Sequence, residues 1–212
     1  MSAKYSCQTI AALLRLHDVR DVVLSPGSRN LPIIQAIDEE ESLRKHIVID
    51  ERSAAFMALG MAQADRRPVA VVCTSGTALL NYAPAVAEAF YQHLPLIVIS
   101  SDRPGQWIDQ DDSQTIRQPG ALANFVKYSC DLPDYDDPSG EMGWYARRCV
   151  NDALLAAVSP DAGPVHINVQ LSEPLLCDFP VLEDIRPIRC LRADDTLTRE
   201  QVKELAVVLR HK

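Results

Sequence analysis

Short β-branched runs alternate with segments of helical periodicity over most of the chain, and this alternation constrains the fold more than any other feature. Residues 21–25 (DVVLS), 46–50 (HIVID), 69–73 (VAVVC) and 96–100 (LIVIS) read as strands, with 164–169 (PVHINV) a fifth and 124–128 a weaker sixth. Helical periodicity occupies 7–17, 32–39, 51–64, 77–91 and 141–158. Pro32 does not break the second of these, because proline is tolerated in a helix's first turn. The strand runs are nearly continuous in apolar character, as in parallel strands covered on both faces. Such an alternation predicts an α/β fold: a doubly wound, mainly parallel sheet of five to six strands with helices on both faces.

The bulk properties narrow the function. The 212 residues are 47% hydrophobic and suffice for one sizeable core. A net charge of −8 without a lysine or arginine run argues against nucleic acid or an anionic membrane surface as partner. It leaves room for a small anion held by a few local arginines. Cys7, Cys73, Cys130, Cys149, Cys177 and Cys190 form no CxxC pair and follow a polar N-terminus, so they read as reduced thiols of a cytoplasmic protein. His17, His46, His93, His166 and His211 are scattered singly, without zinc-type spacing, and no metal site is expected within the chain. No apolar stretch reaches the ~20 residues that span a bilayer.

The texture changes after residue 169. Pro174, Pro180 and Pro187 punctuate 173–189, which reads as an extended linker. Residues 198–210 then look like the first helix of another unit, with Thr198 as N-cap. The expected organisation is one domain over 1–175, then a linker and the start of a central domain over 176–212. The chain reads as a piece of a longer protein.

In doubly wound sheets ligands gather outside the carboxyl ends of the strands. Four loops leave those ends. Residues 26–30 form a Pro-Gly turn in which Ser28 and Arg29 either hold a carboxylate bidentately or make a surface turn with a solvated arginine. Asp50 and Glu51 sit at a strand-to-helix junction, serving as helix cap or as a carboxyl group for proton transfer. Thr74-Ser75-Gly76-Thr77 opens a helix, either as a small-residue cap or with N–H groups turned to a ligand's polar edge. It lacks the lysine of a P-loop, and Cys73 stands where a nucleophile elbow needs glycine. No GxGxxG occurs, which disfavours nicotinamide or flavin binding in the Rossmann manner. A long polar loop runs from Asp102-Arg103-Pro104 through Asp111 and Asp112 to Gln118. Its acid run reads as a solvated face, and Trp107 suggests docking against a partner.

Taken together, the segments SPGSRN, DERSAAFMALGMAQA, VCTSGTALLN, SDRPG, SQTIRQPG and HINVQLSEPL, spread over residues 12–176, resemble the menaquinone-pathway branch of the thiamine-diphosphate-dependent enzymes. Members of that branch are transferases that decarboxylate 2-oxoglutarate and add the succinyl unit to isochorismate. The resemblance implies a pyrimidine-binding domain in which Glu51 hydrogen-bonds N1′ of the aminopyrimidine. Thr74, Ser75, Gly76 and Thr77 then lie on the cofactor side, and Ser28, Arg29, Arg103 and Gln114 on the substrate side. Ser113 departs from the asparagine that the resemblance calls for before Gln114. The resemblance also implies Mg²⁺ and diphosphate bound by a Gly-Asp-Gly…Asn-Asn motif on another domain, and no such motif occurs here. It implies active sites shared between subunits of a homodimer or homotetramer, so this stretch alone is expected to be inactive. The competing readings are another thiamine-diphosphate 2-oxo-acid decarboxylase or ligase, and a non-catalytic binding module.

Overall fold

The computed structural model describes residues 4–159, 161–176, 178, 182, 185–191 and 196–210. Cys177, Pro180 and His211, all invoked above, lie outside the described residues. Six parallel strands form one sheet in the order β2-β1-β3-β4-β6-β5. They are β1 (Asp21–Leu24), β2 (Arg44–Ile47), β3 (Val69–Cys73), β4 (Leu96–Asp102), β5 (Tyr128–Leu132) and β6 (Val165–Gln170). The helices are α1 (Tyr5–Leu16), α2 (Leu31–Asp38), α3 (Glu51–Asp65), α4 (Thr77–Asn81), α5 (Ala83–Tyr91), α6 (Glu141–Val158) and α7 (Arg199–Arg210).

Two apolar layers explain why the inner strands are apolar at every position. Val22, Leu24, Ala70, Val72, Ile97 and Ile99 face a core built with α1, α2 and α6. Their neighbours Val23, Val69, Val71, Leu96 and Val98 point the other way, onto α3, α4 and α5. Side chains alternate across a strand, so a strand covered on both sides must be apolar throughout. The expected α/β architecture is therefore the one observed.

The edges depart from expectation. The second strand begins two residues earlier than its apolar run, at Arg44, and Ile47 and Ile49 are 71% and 82% exposed. Its anchors are polar: Arg44 and His46 both reach the buried Asp21 carboxylate, at 2.5 and 2.8 Å. The weak sixth strand at 124–128 is instead a 3₁₀ turn at Ala123–Phe125 followed by β5. The expected helix over 77–91 is two helices, α4 and α5, parted at Tyr82, because Pro84 in the first turn of α5 has no N–H to continue the hydrogen-bond ladder. At α7, Thr198 and Gln201 cap each other: the Gln201 N–H donates to Thr198 Oγ1 at 3.3 Å, and the Thr198 N–H to Gln201 Oε1 at 2.9 Å. No helix among the described residues is long and apolar enough to cross a membrane.

Candidate functional site

The loops that leave the carboxyl ends of β1, β2, β3 and β4 meet above the sheet. The first is a built turn. Asn30 accepts from the Gly27 N–H at 2.8 Å and donates to the Ser25 carbonyl at 2.9 Å, folding the loop on itself. Arg29 is thereby turned inward. It is buried, and donates to the Leu171 carbonyl at 2.8 Å and to Glu173 Oε1 at 3.0 Å. The surface-turn alternative, with a solvated arginine, is therefore overturned. Ser28 stays exposed.

At the β2–α3 junction the two carboxylates have separate fates. Asp50 is the N-cap, accepting from the Ser53 N–H at 2.8 Å, and that backbone hydrogen bond holds its carboxyl below the usual carboxylate range. Capping is thus done by Asp50, and Glu51 opens the helix half-buried and not engaged as the cap. Two buried groups, Tyr82 and Cys73, lie within reach of its charge. Tyr82 is fully buried and donates its hydroxyl to Ser25 Oγ at 3.3 Å, and Cys73 is fully buried beside it. Burial first, and then the nearby Glu51 charge, push the Cys73 thiol up. The Tyr82 phenol is raised by burial, with the Cys73 and Glu51 charges adding to it.

The third loop is bolted down. Thr74 and Ser75 are buried, and a Cβ on Gly27 would lie 2.5 Å from the Thr74 Cβ, so the first and third loops touch backbone to side chain. The Gly76 N–H donates to Gln118 Oε1 at 2.6 Å. Of the two readings of this loop, a Gly76 N–H turned to a ligand is the one this bond disfavours. Gln118 is fully buried, and its amide nitrogen also donates to the Ser101 carbonyl at 3.0 Å and to Asn168 Oδ1 at 2.8 Å. Gln114 lies over the same loop, its side chain donating to the Ser75 carbonyl at 3.2 Å. Thr77 is exposed at the start of α4.

The fourth loop returns on Arg103, which reaches Thr115 Oγ1 at 3.1 Å, the Ser113 carbonyl at 3.2 Å and Asp112 Oδ2 at 2.6 Å. Ser113 contributes its backbone oxygen, which any residue supplies. Asp112 is thus engaged in an ion pair and is not merely part of a solvated acid run. Asp102 is buried under this loop, its carboxyl raised by burial, and it accepts from the Arg103 N–H and from Asn168 Nδ2, both at 2.8 Å.

Arg29 and Arg103 line one cavity of about 590 Å³, together with Trp107, Asp112, Ser172 and Glu173. Ser28, Gln114 and Glu51 are not among its lining residues. Glu51 therefore lies outside the arginine cavity. The Thr74–Gly76 loop is tied to Gln114 and Gln118 from the fourth loop, whose opening residues line the cavity. Burial pushes the Arg29 guanidinium down, and the nearby Arg103 charge adds to this. Glu173 and Asp112 act in the opposite direction. Asn30, Gln118 and Glu173 escaped the sequence reading. An asparagine just before a helix reads as a cap, and nothing local marks a glutamine or glutamate whose partners lie elsewhere in the chain.

Comparison with known proteins gives the following. Residues 7–121 match the family described as thiamine pyrophosphate enzyme, N-terminal TPP binding domain. Three similar curated relatives share the name 2-succinyl-5-enolpyruvyl-6-hydroxy-3-cyclohexene-1-carboxylate synthase. That of Porphyromonas gingivalis is 49% identical over 174 residues, covering 82% of this chain and 30% of the relative. That of Bacteroides fragilis is 51% identical over 174 residues, covering 82% and 31%. That of Desulfotalea psychrophila is 49% identical over 175 residues, covering 82% and 32%. The chain spans about a third of the length of these relatives.

Proposed function

The chain belongs to the thiamine pyrophosphate enzymes as an N-terminal TPP binding domain, and from that premise we propose that it holds the aminopyrimidine of the cofactor in a carboligase of menaquinone biosynthesis. The enzyme decarboxylates 2-oxoglutarate and adds the succinyl unit to isochorismate. Residues 1–175 form the pyrimidine-binding domain, and 176–212 lead into a central domain. Mg²⁺ and the diphosphate are held by a further domain, with a second subunit completing the site in a cytoplasmic homodimer or homotetramer.

The observation that carries this reading is the division of labour at the β2–α3 junction. Asp50 caps the helix and leaves the half-buried Glu51 free of that task, close enough to Cys73 and Tyr82 for its charge to act on both. Such a carboxyl suits the organic end of the cofactor. When bound, thiamine diphosphate supplies a carbon nucleophile and an electron sink. Glu51 would hold the aminopyrimidine through a hydrogen bond between its carboxyl and N1′, the contact along which a proton can move. The Thr74–Gly76 loop, which follows the end of β3, is read as the cofactor side of the site. Arg29 and Arg103 bind carboxylates, which guanidinium groups can clamp through paired hydrogen bonds.

The test is turnover by the full-length protein with thiamine diphosphate, Mg²⁺, 2-oxoglutarate and isochorismate, wild type against Glu51→Gln. An active wild type and a loss on the order of 10²-fold or more in the variant are expected for a proton-transfer role. An inactive wild type overturns the reaction assigned, and an unaffected variant overturns the role of Glu51.

A further inference from the structure

Both arginines of the cavity are already neutralised from within the chain, and the geometry of the two pairs is lopsided. The Arg29 side chain is 8% exposed, whereas its partner Glu173 is 66% exposed. Arg103 and Asp112 repeat the pattern more mildly, at 19% and 31%. In each pair the cation sits deeper and the anion nearer the water. A buried guanidinium needs an anion, but it does not need this particular one.

Neither arginine depends on its carboxylate for position. Arg29 is anchored by the Leu171 carbonyl, which follows β6 directly. Arg103 is anchored by Thr115 Oγ1 and the Ser113 carbonyl. Glu173 and Asp112 both come from segments outside the sheet strands, so each can swing away while the guanidinium stays where it is. An ion pair with one partner this exposed is weak. The two guanidiniums are also near enough that the Arg103 charge disfavours that of Arg29, so the cavity favours a ligand that brings negative charge to both.

We propose that Glu173 and Asp112 are exchangeable counter-ions that compete with substrate carboxylates for Arg29 and Arg103, and that this competition makes the cavity select dicarboxylates over monocarboxylates. The proposal rests on the reading of Arg29 and Arg103 as substrate-binding. A ligand with one carboxylate displaces one internal anion and enters beside the other, which repels it. A ligand with two displaces both and meets two open cations. Specificity arises from a repulsive element built into the empty site as well as from the attractive one.

If Glu173 instead served to orient Arg29, its loss would weaken ligand binding, so the two roles predict opposite signs. The experiment is calorimetric titration of the full-length protein, loaded with thiamine diphosphate and Mg²⁺, using glutarate and butyrate as non-reacting probes. The proteins are wild type, Glu173→Gln, Asp112→Asn and Asp109→Asn. Asp109 pairs with the exposed Arg117 and does not line the cavity, so it controls for the bare change in charge. Glu173→Gln and Asp112→Asn are each expected to bind glutarate about two- to fivefold more tightly than wild type. They should also narrow the preference for glutarate over butyrate, while Asp109→Asn leaves both affinities unchanged. Weaker glutarate binding in Glu173→Gln, equal tightening in Asp109→Asn, or no glutarate binding by wild type each overturns the proposal. Turnover is read separately. Tightening without turnover overturns the reaction assigned above and leaves the counter-ions standing. Turnover with unchanged glutarate affinities does the reverse.

Discussion

Gln118 accepts the backbone N–H of Gly76 at 2.6 Å across 42 residues of sequence, and this bond fastens the loop after β3 to the end of the loop after β4. The same carboxamide donates to the Ser101 carbonyl and to Asn168 on β6. One buried side chain therefore ties together the ends of three adjacent strands.

Replacing it with an apolar residue of similar size leaves the buried Gly76 N–H without its acceptor. It also takes one donor from the Ser101 carbonyl and from Asn168 Oδ1, which keeps Ser100 Oγ at 2.8 Å. An orphaned buried N–H costs about 1–3 kcal/mol, so Gln118→Leu is expected to lower unfolding stability by about that amount. Urea denaturation measures it. A midpoint equal to wild type would mean that the network contributes nothing.

Gly76 stands at φ +81°, and a Cβ there would lie 2.7 Å from the Gln114 carbonyl oxygen, a backbone atom that cannot rotate away. Gly76→Ala is expected to destabilise by about 1–3 kcal/mol and to displace Gln114 from Ser75. Gly60 provides the contrast, because it lies within α3 and a Cβ there meets nothing within 4 Å. Gly60→Ala is expected to stabilise by about 0.5–1 kcal/mol. Thermal unfolding of the two variants should move in opposite directions, and a shared direction would contradict the local geometry.

His166 is fully buried. Its Nε2 lies 2.8 Å from Ser100 Oγ, and its Nδ1 has no hydrogen-bond partner. Burial depresses its pKa from 6.5 to about 4. Between those values the unfolded chain binds the proton and the folded chain does not, so stability rises with pH across this window. The contribution is complete above about pH 6.5 and is lost as pH falls towards 4, on the order of 3 kcal/mol in all. Asp102 works in the opposite sense: burial raises its carboxyl, so its ionisation at higher pH disfavours the fold. It cannot be the source of a loss on acidification. Unfolding midpoints taken from pH 7 to 4.5 should fall more steeply for wild type than for His166→Gln, and parallel curves would rule this account out.

The interior of the fold was legible because burial on both faces writes itself into local sequence. β3 and α6 fall where the periodicity puts them, at Val69–Cys73 and Glu141–Val158. The edges were not legible for the same reason. β2 reads RKHI and β5 reads YSCDL, since an edge strand is satisfied by polar partners such as Asp21 or by water. At the site, sequence located the loops and the residue types but not their division of roles. Nothing in the pair Asp50-Glu51 says which carboxylate caps the helix until Ser53 is seen to donate to Asp50. Glu173 stands 144 residues from Arg29, a separation over which no local pattern survives.

The order of the strands has a consequence for how the molecule is made. Among the described residues β6 is the last strand of this sheet in chain order, yet it lies inside the sheet, between β4 and β5. Until it emerges from the ribosome, β4 has an open edge and β5 lacks the strand it pairs with. A nascent chain halted before Gln170 therefore carries unpaired strand edges, the feature most prone to pair with other chains. The Leu171 carbonyl that anchors Arg29 arrives one residue after that strand is complete, so the arginine cavity is finished only after the sheet itself has been sealed.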